Sequence, residues 1–230
     1  VKYKHIFFDL DHTLWDYDAN AAASLTELAV HFQLDRLPSF SVEQFINTFF
    51  EVNFELWDLY NEHVIQRKDI RERRFPMIFR RMGYQFSDVP KTLEEDYVSL
   101  CPTKPNTFPN ALEVLDYLKD KYKMHIITNG FNGIQETKLK SAGIRSHFDV
   151  IVTSESANQR KPSPDIFHLA LEWAEARVEE SMMIGDNLNS DIKGAQSVGM
   201  DHVWFNPTRY ATSVTVQHEI VNLIELKDIL

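Results

Sequence analysis

Two aspartates one residue apart, Asp9 and Asp11, end the apolar run Ile6-Phe7-Phe8 and lead into His12-Thr13-Leu14. Paired carboxylates can attack an electrophile, move protons or hold a hard cation, and equally can do no more than cap a turn. The setting gives this pair its weight. A short apolar run suits a strand buried on both faces of a parallel sheet. Ligands of open α/β sheets bind just beyond the carboxyl ends of such strands. Asp9 is therefore expected at a strand tip, with Asp11 one step into the loop. Three further polar clusters fall at strand ends or helix starts: Thr128-Asn129, Lys161 in Arg160-Lys161-Pro162, and Asp186 with Asp191.

Those clusters need elements to hold them. Met124 to Thr128, Phe148 to Val152, Met182 to Ile184 and His202 to Phe205 read as short strands. Between and around them Asn110 to Lys121, Ile134 to Ala142, Pro164 to Ala176 and Ser190 to Val198 read as helices. Pro164 suits a first helical turn, and Gly143 and Gly199 suit the residue after a last one. Strands alternating with helices of this length indicate βαβ units and a parallel sheet, whose strand-end loops share one edge.

From Asp16 to about Cys101 the texture is helical, with no convincing strand. Helices are expected from Tyr17 to Leu34, from Ser41 through the aromatic-rich stretch holding Phe45, Phe49, Phe50, Phe54, Trp57 and Tyr60, from about Asp69 to Gly83, and from Glu94 to Leu100. The Phe50, Phe54 and Trp57 stripe is read as core. The arginines of the third helix (Arg71, Arg73, Arg74, Arg80 and Arg81) are read as a solvated face from which one could reach a substrate. The loop Pro102 to Asn106 is dense in residues that stop helices. The domains expected are residues 1–15 with 102–230 as one, and 16–101 as an inserted helical lobe.

The chain has 230 residues, 43% hydrophobic and 25% charged, enough for one large domain or a core plus a smaller lobe. A net charge of −10 argues against a general nucleic-acid surface, but not against a small phosphorylated ligand whose pocket is locally reversed in sign. Cys101 is the one cysteine, so no disulfide can form within the chain, which fits a reducing compartment. Its expected state is a small, partly buried apolar residue. Nothing resembles a signal peptide, and no apolar segment approaches the ~20 residues that span a bilayer. A cytoplasmic protein without membrane contact is expected; the oligomeric state is left open.

The order and chemistry of four motifs, Phe-Phe-Asp-Leu-Asp-His-Thr-Leu, Ile-Thr-Asn-Gly, Arg-Lys-Pro-Ser-Pro-Asp and Gly-Asp-Asn-Leu-Asn-Ser-Asp, resemble the haloacid dehalogenase superfamily. The resemblance covers the chain except the helical lobe, which corresponds to the cap inserted after the first motif in many members. It implies an α/β fold, a Rossmann-like doubly wound parallel sheet core with an all-helical cap domain. It also implies a Mg²⁺-dependent phosphomonoesterase, with Asp9 the nucleophile that forms an aspartyl-phosphate. The metal ligands implied are the Asp9 carboxylate, the Asp11 main-chain carbonyl and the Asp186 carboxylate, with Asp191 supporting them from behind. The side chain of Asp11 is then free to protonate the leaving alkoxide and afterwards to activate water. Lys161 supplies fixed positive charge, and the Thr128 hydroxyl and Asn129 main-chain N–H hold phosphate oxygens. A halide needs no proton as it leaves whereas an alkoxide does, so Asp11 favours phosphate chemistry over carbon–halogen cleavage.

His12 stands where many members carry glycine, and Asp-His-Thr-Leu-Trp-Asp with the later Thr-Asn-Gly resembles the nucleotidases of pyrimidine nucleoside monophosphates. Nucleoside 5'-monophosphates or other small phosphorylated metabolites are the expected substrates. A phosphosugar mutase using the same aspartates, and a non-catalytic phosphate-ligand sensor, are the alternatives. Pro109-Asn110 departs from the usual Pro-Gly, although asparagine tolerates left-handed backbone angles. The residues before Arg160 lack the common glycine.

Overall fold

The computed structural model describes residues Lys2 to Leu230. Its sheet has six parallel strands: β1 (His5–Phe8), β2 (Lys123–Thr128), β3 (Val150–Thr153), β4 (Ser181–Gly185), β5 (Asp201–Phe205) and β6 (His218–Ile220), in the order β3-β2-β1-β4-β5-β6. The chain starts in the middle and winds outward first to one side, then to the other. All four residues of β1 are buried, His5 together with the apolar run Ile6-Phe7-Phe8. Phe8 lies level with Ile126 of β2 and Ile184 of β4, so the chain leaves all three strands at one edge of the sheet.

Two compact units emerge: one runs to Tyr17 and resumes from Pro105 to Leu230, and the other is Asp18–Lys104. The second contains α1 (Tyr17–His31, which begins at the boundary), α2 (Val42–Asn61), α3 (Arg67–Arg81) and α4 (Leu93–Leu100), and no strand among its described residues. Ser41 caps α2 by accepting a hydrogen bond from Gln44 N. The buried stripe of α2 is Phe45, Phe49, Val52, Leu56 and Tyr60, packed against Phe75 and Phe79 of α3 and Tyr97 of α4. This corrects the sequence reading. Phe50 and Trp57 are half-buried and Phe54 is 75% exposed, because a turn of about 100° per residue carries that stripe off the packed face.

Arg74 is a second correction. Arg71, Arg73, Arg80 and Arg81 are exposed as expected, but Arg74 is buried. It donates to both oxygens of Glu94 (3.1 and 2.5 Å) and to Asn53 Oδ1 (3.0 Å), with its guanidinium 4.7 Å from the Tyr97 ring centre. Such a pair is costly to desolvate, and losing one member costs about 3–5 kcal/mol. It ties α2, α3 and α4 together.

The other unit adds α5 (Ala111–Leu118), α6 (Asn132–Ser141), α7 (Ser154–Ala157), α8 (Pro164–Trp173), α9 (Lys193–Ser197) and α10 (Leu226–Ile229). Asn110 precedes α5 with φ 65°, the left-handed conformation its side chain tolerates. On one face of the sheet Phe7, Ile127, Val152 and Met183 pack with Ile166, Phe167 and Ala170 of α8 and Ala195 of α9. Several boundaries differ from the sequence reading, two of them for a visible reason. β3 begins at Val150, because Phe148 N closes a tight turn onto Arg145 O, and the expected helix from Ser190 opens instead with a wide π turn over Leu188–Ile192. β6 was not anticipated: three residues, of which only Ile220 is buried, carry no alternation to read. Cys101 is buried, and no helix among the described residues is long and apolar enough to cross a membrane.

Between the start of β1 and the middle of β2, His5 Nδ1 lies 3.0 Å from His125 Nε2, and His125 Nδ1 is buried without a partner. Burial, with the nearby His5 and Lys123, pushes His125 down to about 3. The native state thus keeps it neutral while the unfolded chain binds a proton below about 6.5. Its contribution to stability is complete above pH 6.5 and is lost as pH falls towards 3. His125→Phe is expected to unfold in acid with about one proton fewer taken up, measured from the pH dependence of urea midpoints between pH 3 and 7.

Candidate active site

Three loops leave the shared edge of the sheet, and each delivers a carboxylate or its cation. Asp9 directly follows β1, its N–H bonded to Ile184 O at 2.9 Å, so the strand ladder itself fixes its backbone. The chain then doubles back: Leu14 N and Trp15 N both donate to Leu10 O, and His12 takes φ 65° to make the turn. Asp186 directly follows β4, with its carbonyl accepting Trp204 Nε1–H from β5 at 2.7 Å. Asp191 returns to the same place because the π turn folds it back onto Asn187, whose N–H donates to Asp191 Oδ2 at 3.0 Å while Asp191 N donates to Asn187 O. Single π turns recur at functional sites.

Asp9, Asp186 and Asp191 come together, each offering an oxygen within 4.8 Å of the others. Lys161 joins them from the loop ahead of α8. Its Nζ lies 2.5 Å from Asp9 Oδ1, 2.7 Å from Asp191 Oδ1 and 2.7 Å from Ile127 O, and its side chain is 2% exposed. Asn129 fixes that loop: its Oδ1 accepts Lys161 N–H at 2.7 Å and its Nδ2 donates to Lys161 O at 3.1 Å. The Asn129 side chain thus does for the Lys161 backbone what a neighbouring strand would do.

Thr128 ends β2 on the same edge. Its hydroxyl oxygen accepts Gly130 N–H at 3.1 Å and Gln135 Nε2–H at 2.7 Å, which leaves its proton to donate outward. α6 starts only at Asn132, so Thr128 at the strand end and Asn129 in the loop both stand ahead of the helix rather than at its first turn. The Asp11 side chain has two donors of its own. Lys138 Nζ lies 2.5 Å from its Oδ1 and Gln135 Nε2 lies 2.9 Å from its Oδ2.

Thr13, Gln135 and Lys138 join the site without having been expected there from the four motifs. Thr13 is fully buried, accepts Asp186 N–H at 3.1 Å, and has its hydroxyl 3.2 Å from Asp186 Oδ1 and 3.4 Å from Asp9 Oδ2. Gln135 and Lys138 are three apart on α6, hence on one face. That spacing after Ile-Thr-Asn-Gly was the available signal.

The electrostatics follow from the count. Burial pushes Asp9 well above the usual carboxylate range; Lys161 pulls it back, and Asp191 and Asp186 push it up again. Burial and then Asp191 drive Asp186 the same way, against the pull of Lys161. Burial would lower Lys161, but the charges of Asp191 and Asp9 outweigh it and hold the ammonium protonated. Asp11 goes the other way: burial would raise it, but the Lys138 charge and hydrogen bonds from Lys138 and Gln135 bring it below its ordinary value. Three carboxylates around one ammonium leave an excess of negative charge, and every donor is oxygen. That set fits a hard divalent cation.

Residues 6–205 match the haloacid dehalogenase-like hydrolase family. The chain belongs to it. This hydrolase is 32% identical to the pyrimidine 5'-nucleotidase YjjG of Escherichia coli over 97% of its own length and 99% of that protein's. It is 28% identical to the pyrimidine 5'-nucleotidase PynA of Streptococcus pneumoniae, over 99% and 95% of the two chains. Among solved structures, the HAD-hydrolase YfnB of Bacillus subtilis bound to magnesium superposes with a TM-score of 0.87 at 27% identity, covering 100% of this chain and 99% of that one.

Close packing in the hydrolase sets a test. A Cβ on Gly185 would lie 2.3 Å from Asp191 Oδ2, whereas one on Gly133 would meet nothing within 4 Å. Gly185→Ala is expected to cost roughly 1–3 kcal/mol and to displace Asp191 from Lys161. Gly133→Ala, in the first turn of α6, is expected to be neutral or stabilising by up to about 1 kcal/mol. Urea unfolding of the two variants checks this.

Proposed function

We propose that this hydrolase is a Mg²⁺-dependent phosphomonoesterase that works through an aspartyl-phosphate on Asp9 and acts on nucleoside 5'-monophosphates or similar small phosphorylated metabolites. The observation that carries the reading is the buried Lys161 ammonium held between Asp9 and Asp191, with Asp186 beside them. It leaves Asp9 one oxygen committed to a cation and one with no closer partner than the Thr13 hydroxyl at 3.4 Å.

Asp9 and Asp186, with the main-chain carbonyl of Asp11, would hold the metal. Asp191 has Oδ1 on Lys161 and Oδ2 on Asn187 N–H, which suits a supporting role. Bound there, Mg²⁺ supplies the positive charge that lets a carboxylate approach a phosphate dianion. The Thr128 proton and the Asn129 N–H hold phosphate oxygens, and Lys161 neutralises charge on both Asp9 and the phosphoryl group. Asp9 attacks phosphorus; a P–O bond to its carboxylate forms as the bond to the leaving oxygen breaks. Asp11 gives a proton to that oxygen. That proton is the one Asp11 takes from water in the second half of the preceding turnover, so a phosphomonoester dianion and water become the free alcohol and hydrogen phosphate. In the second half Asp11 takes a proton from water, the new P–O bond forms, and Asp9 is released with inorganic phosphate.

The helical unit Asp18–Lys104 is assigned the role of a cap that excludes bulk water and selects the leaving group. The nucleotide preference is supported by YjjG and PynA, both pyrimidine 5'-nucleotidases that align along nearly the whole chain.

Asp9→Asn is expected to fold and to release no phosphate from p-nitrophenyl phosphate; wild-type turnover by this variant would remove the nucleophile assignment. A panel of nucleoside monophosphates and sugar phosphates, ranked by kcat/KM, tests the substrate class. MgCl2 is expected to stabilise the wild-type protein by about 2.7 kcal/mol at a hundredfold excess over Kd, seen as a rise in Tm. Asp186→Asn should lose that rise, yet be at least as stable as wild type without metal, because it removes a carboxylate that burial and Asp191 disfavour.

A further inference from the structure

Asp11 stands apart from the Asp9, Asp186 and Asp191 group and has a cation of its own. We infer that Lys138 and Gln135 are positioning residues that set the orientation of the Asp11 carboxylate for proton transfer, and that Gln135 links this orientation to the phosphate-binding hydroxyl of Thr128. The inference rests on the phosphomonoesterase reading above and extends it to residues outside the four motifs.

Geometry carries the argument. Each Asp11 oxygen has a donor, Lys138 on Oδ1 at 2.5 Å and Gln135 on Oδ2 at 2.9 Å, so the carboxylate cannot turn without breaking both bonds. Lys138 has none of the freedom of a surface lysine. Its side chain is 7% exposed, and its ammonium lies 4.5 Å from the Trp15 ring centre and 5.6 Å from that of Tyr17. Aromatic faces and one carboxylate enclose it, an arrangement that favours a fixed cation. Burying an ammonium costs several kcal/mol unless it is paired, and here the pairing is with a site residue.

Gln135 is fully buried, and its single Nε2 serves both Asp11 Oδ2 and Thr128 Oγ1, at 2.9 and 2.7 Å. Its Oε1 is buried with no hydrogen-bond partner. Turning the amide over would set Oε1 against the Asp11 carboxylate, so the bridge keeps its direction even though it leaves a buried acceptor orphaned. Gly130 makes room for it: a Cβ there would lie 2.3 Å from Gln135 Nε2. One face of α6 thus fixes the proton-handling carboxylate and the Thr128 hydroxyl together. A misplacement of about 1 Å in such a group can cost about a hundredfold.

The test uses a property of the leaving group. In the first step the proton on Asp11 passes to the departing oxygen as its bond to phosphorus breaks and the bond from Asp9 forms. An alkoxide needs that proton; dinitrophenolate leaves without it. kcat/KM, which reports the steps through phosphoryl transfer to Asp9, is measured on the best nucleoside 5'-monophosphate of the panel and on 2,4-dinitrophenyl phosphate. Lys138→Met is expected to lower the nucleotide value by roughly a hundredfold and the dinitrophenyl value by at least tenfold less. Gln135→Met, which keeps the volume and adds no charge, should shift the ratio the same way, and Lys138→Arg should recover part of the loss. Asp11→Asn gives the reference direction. If the two substrates fall in parallel, or neither falls, in both Lys138→Met and Gln135→Met, the positioning role is overturned. Gln135→Met decides alone if Lys138→Met does not fold. A wild-type protein that hydrolyses neither ester overturns the phosphomonoesterase reading instead, which separates the two failures.

Discussion

The Lys161 ammonium, stripped of water and shared by Asp9 and Asp191, is the interaction around which the core is assembled. A desolvated ammonium is costly on its own, and several buried carboxylates facing one another are costlier still. Each makes the other tolerable. The surrounding structure is largely the apparatus that keeps them in register. Asn129 pins the Lys161 backbone, the Ile127 carbonyl takes a further donor, and the π turn folds Asp191 back over Gly185. Even the packing of α8 on α9 serves it: a Cβ on Gly194 would lie 2.3 Å from Phe167 and 3.3 Å from the Pro162 backbone next to Lys161. These contacts come from residues scattered between Asp9 and Gly194, so the site has no local source of precision. It inherits its accuracy from the parallel register of β1, β2 and β4.

That inheritance explains which parts of the site are legible in the sequence. Asp9, Thr128 and Asp186 each end or follow a buried strand, and a parallel sheet sends all such ends to one edge, so their meeting follows from strand recognition alone. Thr13, Gln135 and Lys138 leave no such trace. A threonine in a turn and a polar pair on a helix face are the commonest of surface patterns, and only the tertiary position of α6 turns Gln135 and Lys138 inward. The helical unit teaches the same lesson from the other side. Its α2 carries so many aromatic residues that composition cannot choose the phase of the buried stripe. The partner helix chooses, and Phe75 and Phe79 select Phe45 and Phe49 over Phe54. Arg74 is hidden among four exposed arginines until Glu94 and Asn53 claim it.

Backbone conformation adds a further layer. His12, Asn110 and Asn158 all have positive φ, at 65°, 65° and 49°. Asparagine occupies that region at small cost; histidine does so less readily, by about 1–2 kcal/mol relative to its right-handed form. His12 holds the conformation within the turn that reverses the chain after Asp9, with His12 N bonded to Trp15 O at 3.0 Å and its ring 5.0 Å from that of Tyr17. Strain of this order is tolerated where the surroundings over-determine a turn, and functional sites are where it concentrates. The same turn brings Trp15 and Tyr17 back over Lys138, so the residue that bears the strain also helps to build the aromatic walls around the second cation.

The two lysines divide the electrostatic work. Lys161 is outnumbered by carboxylates, and burial with their mutual repulsion disfavours the charged forms of Asp9 and Asp186, a set that a further cation would relieve. Lys138 faces a single carboxylate, and that pair is neutral as it stands. A chain of net charge −10 therefore needs no basic surface to take a phosphorylated ligand. Attraction is confined to one spot where charge is both concentrated and dry, which strengthens it relative to anything at the surface. Keeping the two carboxylate groups on separate cations also keeps their protonation from being shared. In the proposed mechanism this keeps Asp9 for attack while Asp11, two residues further on, exchanges protons. A single shared ammonium would couple the two, so that a proton gained by one would alter the charge felt by the other.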